Sequence, residues 1–256
     1  MKIAISDFDG TLCQNFPGVT LGSGVPKENI QAVKRWQKAG NKFGIATGRS
    51  LNLIEWDLAK YDFEVDFLVC DNGGTAFDEK RNLLYSRPIP REILKKLLET
   101  PPFKNENIPL MVFGERQVYA FRSYPDVGEE LAPRISAEKL AERDDIVQFG
   151  MKFDSSEAAQ KACDDFLKNF PMLSGNPNRI YLDMNMSQVD KTFGIERLLE
   201  KMNWQNCEVL TIGDEKNDIP MIKKFKGFAV KNASEDTLKA ARKIYETVGQ
   251  MLNDNL

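Results

Sequence analysis

Short apolar runs that stop abruptly at polar or glycine residues mark the beginning of the chain. The runs cover residues 3–6, 43–46 and 67–70. They are followed by Asp7, by Thr47 and by an Asp-Asn-Gly-Gly segment that starts at Asp71. Short apolar runs between turn-forming residues are typical of strands that are buried on both faces. The pattern therefore predicts three strands whose carboxyl ends carry polar residues.

The segment between the first two runs has the spacing of a helix. Apolar residues recur at every third position from Ile30 to Ala39, Pro26 precedes them and Gly40 follows. Proline is favoured in the first turn of a helix and glycine just after its end. We therefore predict a helix over residues 26–39. The resulting strand-helix-strand unit indicates a parallel sheet that is covered by helices on both faces.

The middle of the chain changes character near Asp78. The predicted elements are strands at 110–113, 117–121, 147–153 and 179–183 and a helix at 155–170. The first two of these strands flank a Gly-Glu-Arg segment, which predicts a hairpin. This segment is therefore predicted to be an α+β module whose strands pair in the antiparallel sense.

The alternation of helices and strands returns at Lys191. The predicted elements are helices at 192–202, 217–225 and 234–251 and strands at 209–212 and 228–230. We predict an α/β fold with a Rossmann-like parallel-sheet core of residues 1–78 and 188–256, interrupted by an inserted cap domain of residues 79–187. Because open parallel sheets bind ligands at the carboxyl ends of their strands, we expect the insertion to cover a site there.

The composition excludes several kinds of enzyme. The 256 residues include no histidine, so the chain cannot carry a Ser-His-Asp triad, an HExxH zinc site or a histidine-ligated haem. The four cysteines form no CxxC pair, which argues against a zinc ribbon and against a thioredoxin-type redox site. Acid and base chemistry must therefore come from carboxylates, lysine, tyrosine or cysteine.

Charge and hydropathy limit the expected partners and location. The formal net charge of −3 provides no general electrostatic field for nucleic acid or for anionic lipid. No apolar run approaches the roughly 18 residues of a membrane span. The first apolar stretch meets two aspartates by position 9, so it does not form the core of a signal peptide. We expect a cytoplasmic protein with no nucleic-acid, membrane or obligate protein partner.

Acidic residues from distant parts of the chain should meet at one edge of the predicted sheet. They are Asp7, Asp9 and Asp214, which closely follow predicted strands, and Asp218, at the start of the predicted helix 217–225. Several carboxylates crowded together repel one another and are expensive to desolvate, so they require cations. Oxygen ligands at this density suit a hard divalent ion such as Mg²⁺, and the lack of histidine makes zinc the poorer candidate.

These residues resemble the motifs of the haloacid dehalogenase superfamily of phosphohydrolases, in particular its Cof-like, class IIB branch. The matching positions are D-x-D-G-T at Asp7, Asp9, Gly10 and Thr11, the strand-end Thr47, the helix-start Lys191, and G-D-x-x-N-D at Gly213, Asp214, Asn217 and Asp218. The resemblance covers the core on both sides of the insertion. It implies that the insertion is a C2-type cap.

The resemblance also implies a different role for each of the acidic residues. Asp7 would attack phosphorus to give an aspartyl-phosphate, and Asp9 would act first as general acid and then as general base. The Mg²⁺ ligands would be the carboxylates of Asp7 and Asp214 and the backbone carbonyl of Asp9. Asp218 would act indirectly, by orienting a metal-bound water or Lys191.

The remaining motif residues would hold the phosphate group and the turn beside the nucleophile. The phosphate-binding residues implied by the resemblance are Thr47, Gly48, Lys191 and Asn217. Hydroxyl, ammonium and amide donors of this kind stabilise the charge of a transferring phosphoryl group. Thr11 would stabilise the turn that follows Asp7 by hydrogen bonding.

The predicted function is a Mg²⁺-dependent phosphatase that hydrolyses a small phosphorylated metabolite, such as a sugar phosphate, through an aspartyl-phosphate. One alternative is a phosphohexomutase, because related capped proteins move phosphate between sugar hydroxyls through the same intermediate. Another is a non-catalytic regulatory protein that binds a phosphometabolite. Dehalogenation is disfavoured, because loss of a halide needs no acid such as Asp9.

Overall fold

The computed structural model describes residues 1–15, 23–124 and 127–256. The strands are β1 (Lys2–Ser6), β2 (Gln14–Asn15), β3 (Ser23–Gly24), β4 (Lys42–Ala46), β5 (Phe67–Cys70), β6 (Thr75–Phe77), β7 (Leu83–Ser86), β8 (Leu110–Gly114), β9 (Val118–Ala120), β10 (Ile146–Lys152), β11 (Leu173–Asn178), β12 (Tyr181–Met186), β13 (Glu208–Gly213), β14 (Phe228–Val230) and β15 (Lys243–Tyr245). The helices are α1 (Lys27–Lys38), α2 (Leu51–Leu58), α3 (Arg91–Leu98), α4 (Pro101–Lys104), α5 (Ala137–Ala141), α6 (Ser156–Asn169), α7 (Lys191–Lys201), α8 (Ile219–Lys224), α9 (Glu235–Ala240) and α10 (Val248–Asp254).

The described residues divide into two compact units. The first comprises Met1–Gly48, Trp56–Tyr85 and Asp190–Leu256, and the second comprises Arg49–Glu55 and Ser86–Val189. Within the described residues, no helix combines the length and the apolar character needed to cross a bilayer.

The first unit is built on an eight-stranded sheet in the order β15-β14-β13-β1-β4-β5-β6-β7. The six strands from β15 to β5 run parallel, and β6 pairs with β5 in the antiparallel sense. The three apolar runs at the start of the chain form β1, β4 and β5, as predicted. The expected parallel α/β sheet is therefore confirmed.

Helices pack against this sheet through apolar side chains. Ile3 and Ile5 of β1 contact a buried cluster that includes Ile195 and Leu198 of α7. The predicted helix at 26–39 is confirmed as α1, with Pro26 at its N-cap and Gly40 at φ +82° just beyond its end. Burying these apolar faces contributes about 25 cal/mol for each Å² removed from water. The core thus fixes the strand ends on which the functional residues lie.

The second unit contains a five-stranded sheet in the order β11-β12-β10-β8-β9. The hairpin of β8 and β9 and the long strand β10 are antiparallel, as predicted. Helix α6 covers one face of the sheet, where Phe166 lies 5.7 Å from Phe149 between ring centroids. Strand β11 pairs along its whole length with β12 and was not predicted.

The end of the chain differs from the prediction. The helix expected over residues 234–251 is two short helices, α9 and α10, separated by β15. The cause is tertiary: β15 pairs with β14, and the ring of Tyr245 packs edge-on against Phe228 at 5.2 Å. Pairing and aromatic packing of this kind override helix propensity. The Ser234 hydroxyl bonds to the Thr237 hydroxyl at 2.8 Å and accepts no hydrogen bond from the backbone amides of α9.

One large aromatic residue of the first unit is at the surface. Trp56 lies in α2, and 51% of its surface is exposed. The ammonium of Lys60 lies 3.3 Å from the centroid of its indole ring. A cation over an aromatic face is stabilising in water, so this tryptophan has a partner without being buried.

Candidate active site

Three neighbouring strands of the first unit end in polar residues at the same edge of the sheet. Asp7 follows β1, Thr47 follows β4 and Asp214 follows β13. Because β13, β1 and β4 are adjacent and parallel, their carboxyl ends meet. All three side chains are buried, although each is polar. Buried polar side chains need partners, and the contacts of these residues define the site.

The turn after Asp7 brings residues of the first motif onto Asp214. Gly10 has a left-handed backbone with φ +84°, and its amide donates to the carbonyl of Cys13 at 2.8 Å. The Thr11 hydroxyl donates to Asp214 Oδ1 at 2.9 Å. A Cβ atom on Gly10 would lie only 2.2 Å from Asp214 Oδ2. The turn therefore needs glycine both for its φ angle and for the space that Asp214 occupies.

Lys191 connects the first and last motifs. It is the first residue of α7, which Asp190 caps by accepting a hydrogen bond from the amide of Phe193 at 2.8 Å. The Lys191 ammonium donates to Asp7 Oδ1 and to Asp218 Oδ1, both at 2.6 Å. Its side chain is fully buried, so these charges face each other without water between them. Charge-assisted bonds of this kind hold an ammonium in one position.

Asp218 organises the loop that carries Asp214. Its second oxygen, Oδ2, accepts from the backbone amides of Asp214 at 2.9 Å and Glu215 at 3.1 Å. A Cβ atom on Gly213 would lie 2.4 Å from the Asp218 carboxyl carbon, so glycine is needed where the loop crosses this side chain. Both oxygens of Asp218 are thus engaged, one by Lys191 and one by the loop.

Burial and mutual repulsion shift the acidity of the cluster. Burial is the largest influence on Asp7 and raises its pKa well above the usual value, against the opposing effect of Lys191. Burial followed by the charge of Asp218 raises the pKa of Asp214 to about 6. Burial acts to lower the pKa of Lys191, but the two carboxylates outweigh it and hold that pKa above the usual range. The lysine therefore stays charged, while two of the carboxylates resist ionisation.

The same cluster can accommodate a divalent cation. Carboxylate oxygens of Asp7, Asp214 and Asp218 all lie within 4.8 Å of one another, and all three residues are buried. The Lys191 ammonium pairs with Asp7 and Asp218, so the three carboxylates in their ionised forms would carry more negative charge than this lysine offsets. Buried carboxylate oxygens are the ligands that hard divalent ions prefer, and such an ion would favour the ionised forms. The donor set therefore fits a divalent metal.

The amide side chains of the site meet beside Thr47. Asn217 was predicted to bind phosphate, and its Nδ2 donates to Asn72 Oδ1 at 3.2 Å. The backbone amide of Asn72 donates to the carbonyl of Thr47 at 3.0 Å. A Cβ atom on Gly48 would lie 3.1 Å from Asn72 Nδ2, so the Asn72 amide faces that glycine. Asn72 was not among the predicted site residues. Its only signal in the sequence was the polar stop after β5.

Asp9 occupies a different environment from the other acidic residues. It lies two residues after Asp7, and its side chain is exposed. Its backbone forms a bridge with Cys13 across the turn, and Asn232 Nδ2 donates to the neighbouring Gly10 carbonyl at 2.9 Å. The structure therefore brings Asp7, Asp214, Asp218, Lys191 and Thr11 into direct contact, and places Asp9 on the solvent side of the same turn.

Comparisons with known proteins relate the chain to one family of hydrolases. The sequence pattern of the haloacid dehalogenase-like hydrolases matches residues 4–250. The chain is 23% identical over 248 residues to the Bacillus subtilis (strain 168) 5-amino-6-(5-phospho-D-ribitylamino)uracil phosphatase YcsE. That similarity covers 96% of this chain and 90% of the relative.

Solved structures share the fold along the whole chain. BT1666, a phosphatase of the HAD superfamily from Bacteroides thetaiotaomicron, is 22% identical with a TM-score of 0.77, covering 99% of this chain and 93% of that one. The HAD subclass IIB sugar phosphatase BT4131 is 20% identical with a TM-score of 0.79, covering 100% and 99%. This chain belongs to the haloacid dehalogenase-like hydrolase family.

Proposed function

We propose that this protein is a Mg²⁺-dependent phosphatase that hydrolyses the phosphate ester of a small metabolite through an aspartyl-phosphate on Asp7. The observation that carries the proposal is the buried Lys191 ammonium, 2.6 Å from both Asp7 and Asp218. A carboxylate held by an ammonium at a strand end, beside further carboxylates, suits a nucleophile that must approach a phosphate dianion. Positioning and charge stabilisation provide most of the catalysis in phosphoryl transfer.

The first half of the reaction uses Asp7 and Asp9. A carboxylate oxygen of Asp7 attacks phosphorus, and the bond from phosphorus to the substrate oxygen breaks. Asp9 donates its proton to the departing alkoxide, which leaves as the alcohol. Lys191 holds Asp7 Oδ1 in place and offsets the negative charge of the nucleophile and the phosphate.

The second half returns the enzyme to its starting state. Asp9, now ionised, takes a proton from water, and that water attacks the phosphorus of the aspartyl-phosphate. The bond between Asp7 and phosphorus breaks, and inorganic phosphate leaves. The exposed position of Asp9 suits both roles, because it must reach the leaving group and then the water.

The metal and phosphate ligands complete the proposal. Mg²⁺ would be held by the carboxylates of Asp7 and Asp214 and by the backbone carbonyl of Asp9, and when bound it neutralises charge between nucleophile and phosphate. Asp218 keeps Lys191 and the Asp214 loop in position, and Thr11 fixes Asp214. The residues proposed to bind the phosphate oxygens are Thr47, Gly48, Lys191 and Asn217.

The substrate is proposed to be a small phosphorylated metabolite, and a sugar phosphate is the leading class. The support is the relatives: YcsE is named for a phosphorylated ribityl compound, and BT4131 is named a sugar phosphatase. We propose that residues 79–187 form the cap that selects the substrate. The five-stranded sheet with α6 on one face gives this segment its own core, as such a domain requires.

A screen for phosphate release tests the function. Purified protein is incubated with MgCl₂ and a panel of phosphorylated metabolites that includes hexose 1- and 6-phosphates, with EDTA as one control and Asp7→Asn as another. The proposal predicts free phosphate from at least one ester, and none in either control. Conversion of hexose 1-phosphate to 6-phosphate without phosphate release would show a mutase instead. Binding of a phosphometabolite without turnover would show a regulatory protein.

A further inference from the structure

The loop after β5 contains two consecutive residues in a rarely occupied backbone conformation. Asp71 and Asn72 have φ angles of 53° and 52°, in the left-handed region, although neither is glycine. Both are buried, at 0% and 2% exposure. Such residues cost of order 1–3 kcal/mol each and persist where the surrounding structure determines them. This loop is therefore held in place by its contacts.

The contacts of the loop tie it to the start of α7. The Thr75 hydroxyl donates to Asp71 Oδ2 at 2.6 Å, which fixes the first residue of the loop. Gly73 packs so closely on α7 that a Cβ atom there would lie 1.9 Å from the carbonyl oxygen of Asp190. Asp190 caps the helix whose first residue is Lys191. The loop thus has a defined position relative to the lysine of the site.

Asn72 contacts three of the predicted phosphate-binding positions. Its backbone amide holds the Thr47 carbonyl at 3.0 Å. Its Oδ1 accepts from Asn217 Nδ2 at 3.2 Å, and its amide group faces Gly48. An asparagine amide has two N–H donors on one nitrogen. The hydrogen bond to Asn72 uses one of the two N–H donors of Asn217 Nδ2, and it fixes the orientation of the Asn217 side-chain amide.

We propose that Asn72 is a positioning residue for phosphate recognition. Its Oδ1 fixes the Asn217 side chain so that the second N–H of Nδ2 points into the phosphate subsite, and its backbone amide holds Thr47 at the same subsite. This inference rests on the phosphate subsite of the proposed function. The left-handed backbone is what brings the Asn72 side chain and backbone amide to Asn217 and Thr47 together. A donor that is already oriented loses less entropy when phosphate binds.

A double-mutant cycle tests the inference through inorganic phosphate binding, measured by calorimetry in MgCl₂. The variants are Asn72→Gly, Asn217→Ala and the two combined, and thermal melting checks that each is folded. Glycine accepts the left-handed backbone, so Asn72→Gly removes the side chain without strain. Asn203 provides a control for the backbone conformation, because it is an exposed asparagine of the first unit with φ 57°. Asn203→Gly should bind phosphate like the wild type.

The expected result is non-additivity. Each single substitution should weaken phosphate binding about tenfold, as expected for a hydrogen bond to a charged group. The double variant should stay within about twofold of Asn217→Ala, because Asn72 acts through Asn217. Wild-type affinity in Asn72→Gly, or a combined loss of about a hundredfold, would overturn the proposal.

A second variant keeps the test decisive if Asn72→Gly does not fold. Asn72→Asp retains the acceptor oxygen and tolerates the left-handed backbone. In the N72D background, Asn217→Ala should still weaken phosphate binding about tenfold, and a smaller loss would overturn the inference. Turnover is measured separately. Phosphate binding with the expected coupling but no hydrolysis of any ester would reject the proposed function and leave this inference standing.

Discussion

The Lys191 ammonium lies 2.6 Å from Asp7 Oδ1, and neither side chain is more than 7% exposed. The same ammonium bonds Asp218, so one buried cation holds two buried carboxylates. Removing one partner of a buried ion pair leaves an uncompensated charge in the interior. Lys191 is therefore central to the stability of the site.

Replacing this lysine should destabilise the protein strongly. Lys191→Met leaves Asp7 and Asp218 buried without their cation, and we expect the free energy of unfolding at pH 7 to fall by about 3–5 kcal/mol. Urea unfolding measures the change. Lys201→Met, at the exposed end of the same helix, is the control and should unfold at the wild-type urea concentration. Equal midpoints for the two variants would show that the ion pairs contribute no stability.

Alanine substitutions at Gly10 and Gly40 distinguish the effect of backbone strain from the effect of displacing a site residue. Gly10 and Gly40 have φ angles of 84° and 82°, so alanine is strained to a similar degree at both. Only at Gly10 would the new Cβ collide, 2.2 Å from Asp214 Oδ2, whereas nothing lies within 4 Å of a Cβ on Gly40. Gly40→Ala should lose about 1 kcal/mol of stability from backbone strain alone. Gly10→Ala should lose more, because its Cβ must also displace the buried Asp214 carboxylate.

Their activities should diverge. Gly10→Ala should lose about a hundredfold in kcat/KM, because the proposed metal ligand Asp214 is displaced, while Gly40→Ala should match the wild type. Steady-state kinetics at several MgCl₂ concentrations measure both. A Gly10→Ala enzyme with normal kinetics would mean that the position of Asp214 does not matter for the reaction.

The raised pKa of Asp214 predicts a pH-dependent stability in metal-free protein. A carboxyl group with a pKa of about 6 in the folded state binds its proton more tightly than in the unfolded chain, where the pKa is about 3.9. Its contribution is therefore fully present below the unfolded pKa and is lost as pH rises through about 6. The loss is of order 3 kcal/mol. In EDTA, Tm should fall as pH rises from about 4.5 to about 7.5. Asp214→Asn should make this fall smaller without abolishing it, because the pKa of Asp7 is raised as well.

This experiment has two controls: replacement of an exposed aspartate, and addition of MgCl₂. Asp144, whose side chain is 85% exposed, gives the matched variant Asp144→Asn, which should retain the wild-type slope. Added MgCl₂ should raise Tm more at pH 7.5 than at pH 5, because metal ligands must be deprotonated. An Asp214→Asn slope identical to that of the wild type would contradict the assignment of the pH effect.

The proposed role of Asp9 as general acid predicts that the effect of its replacement depends on the leaving group. Asp9→Asn should fold normally, because the side chain is exposed. Loss of a general acid typically costs 10²–10⁴-fold, and we expect about a thousandfold loss of kcat for an alkyl phosphate. The loss should be smaller for p-nitrophenyl phosphate, whose leaving group needs little protonation. Similar losses on both substrates would argue that Asp9 acts in some other way.

Much of the core and most of the site could be predicted from the sequence. Strands β1, β4 and β5 are short apolar runs with sharp polar stops, and strand ends of neighbouring parallel strands must meet. That logic located Asp7, Thr47 and Asp214, and the family motifs added Lys191 and Asp218. These features are local in sequence, so one chain is enough to read them.

Features that depend on tertiary contacts were not predictable. Residues 243–245, which form β15, were predicted to be helical because their pairing with β14 cannot be recognised from the local pattern of apolar and polar residues. Asn72 was missed because its importance lies in contacts with Asn217 and Thr47, which are distant in the sequence. The domain boundaries, the cytoplasmic location and the roles of the individual site residues stay predictions.

The central claim is that Asp7 becomes phosphorylated during turnover. Enzyme mixed with a substrate ester and MgCl₂ is quenched in acid within one turnover and reduced with borohydride, which converts an aspartyl-phosphate to homoserine, and the peptides are mapped by mass spectrometry. The account predicts homoserine at position 7, only when both substrate and Mg²⁺ were present. Homoserine at another aspartate, or an unmodified Asp7 in an enzyme that is releasing phosphate, would contradict it.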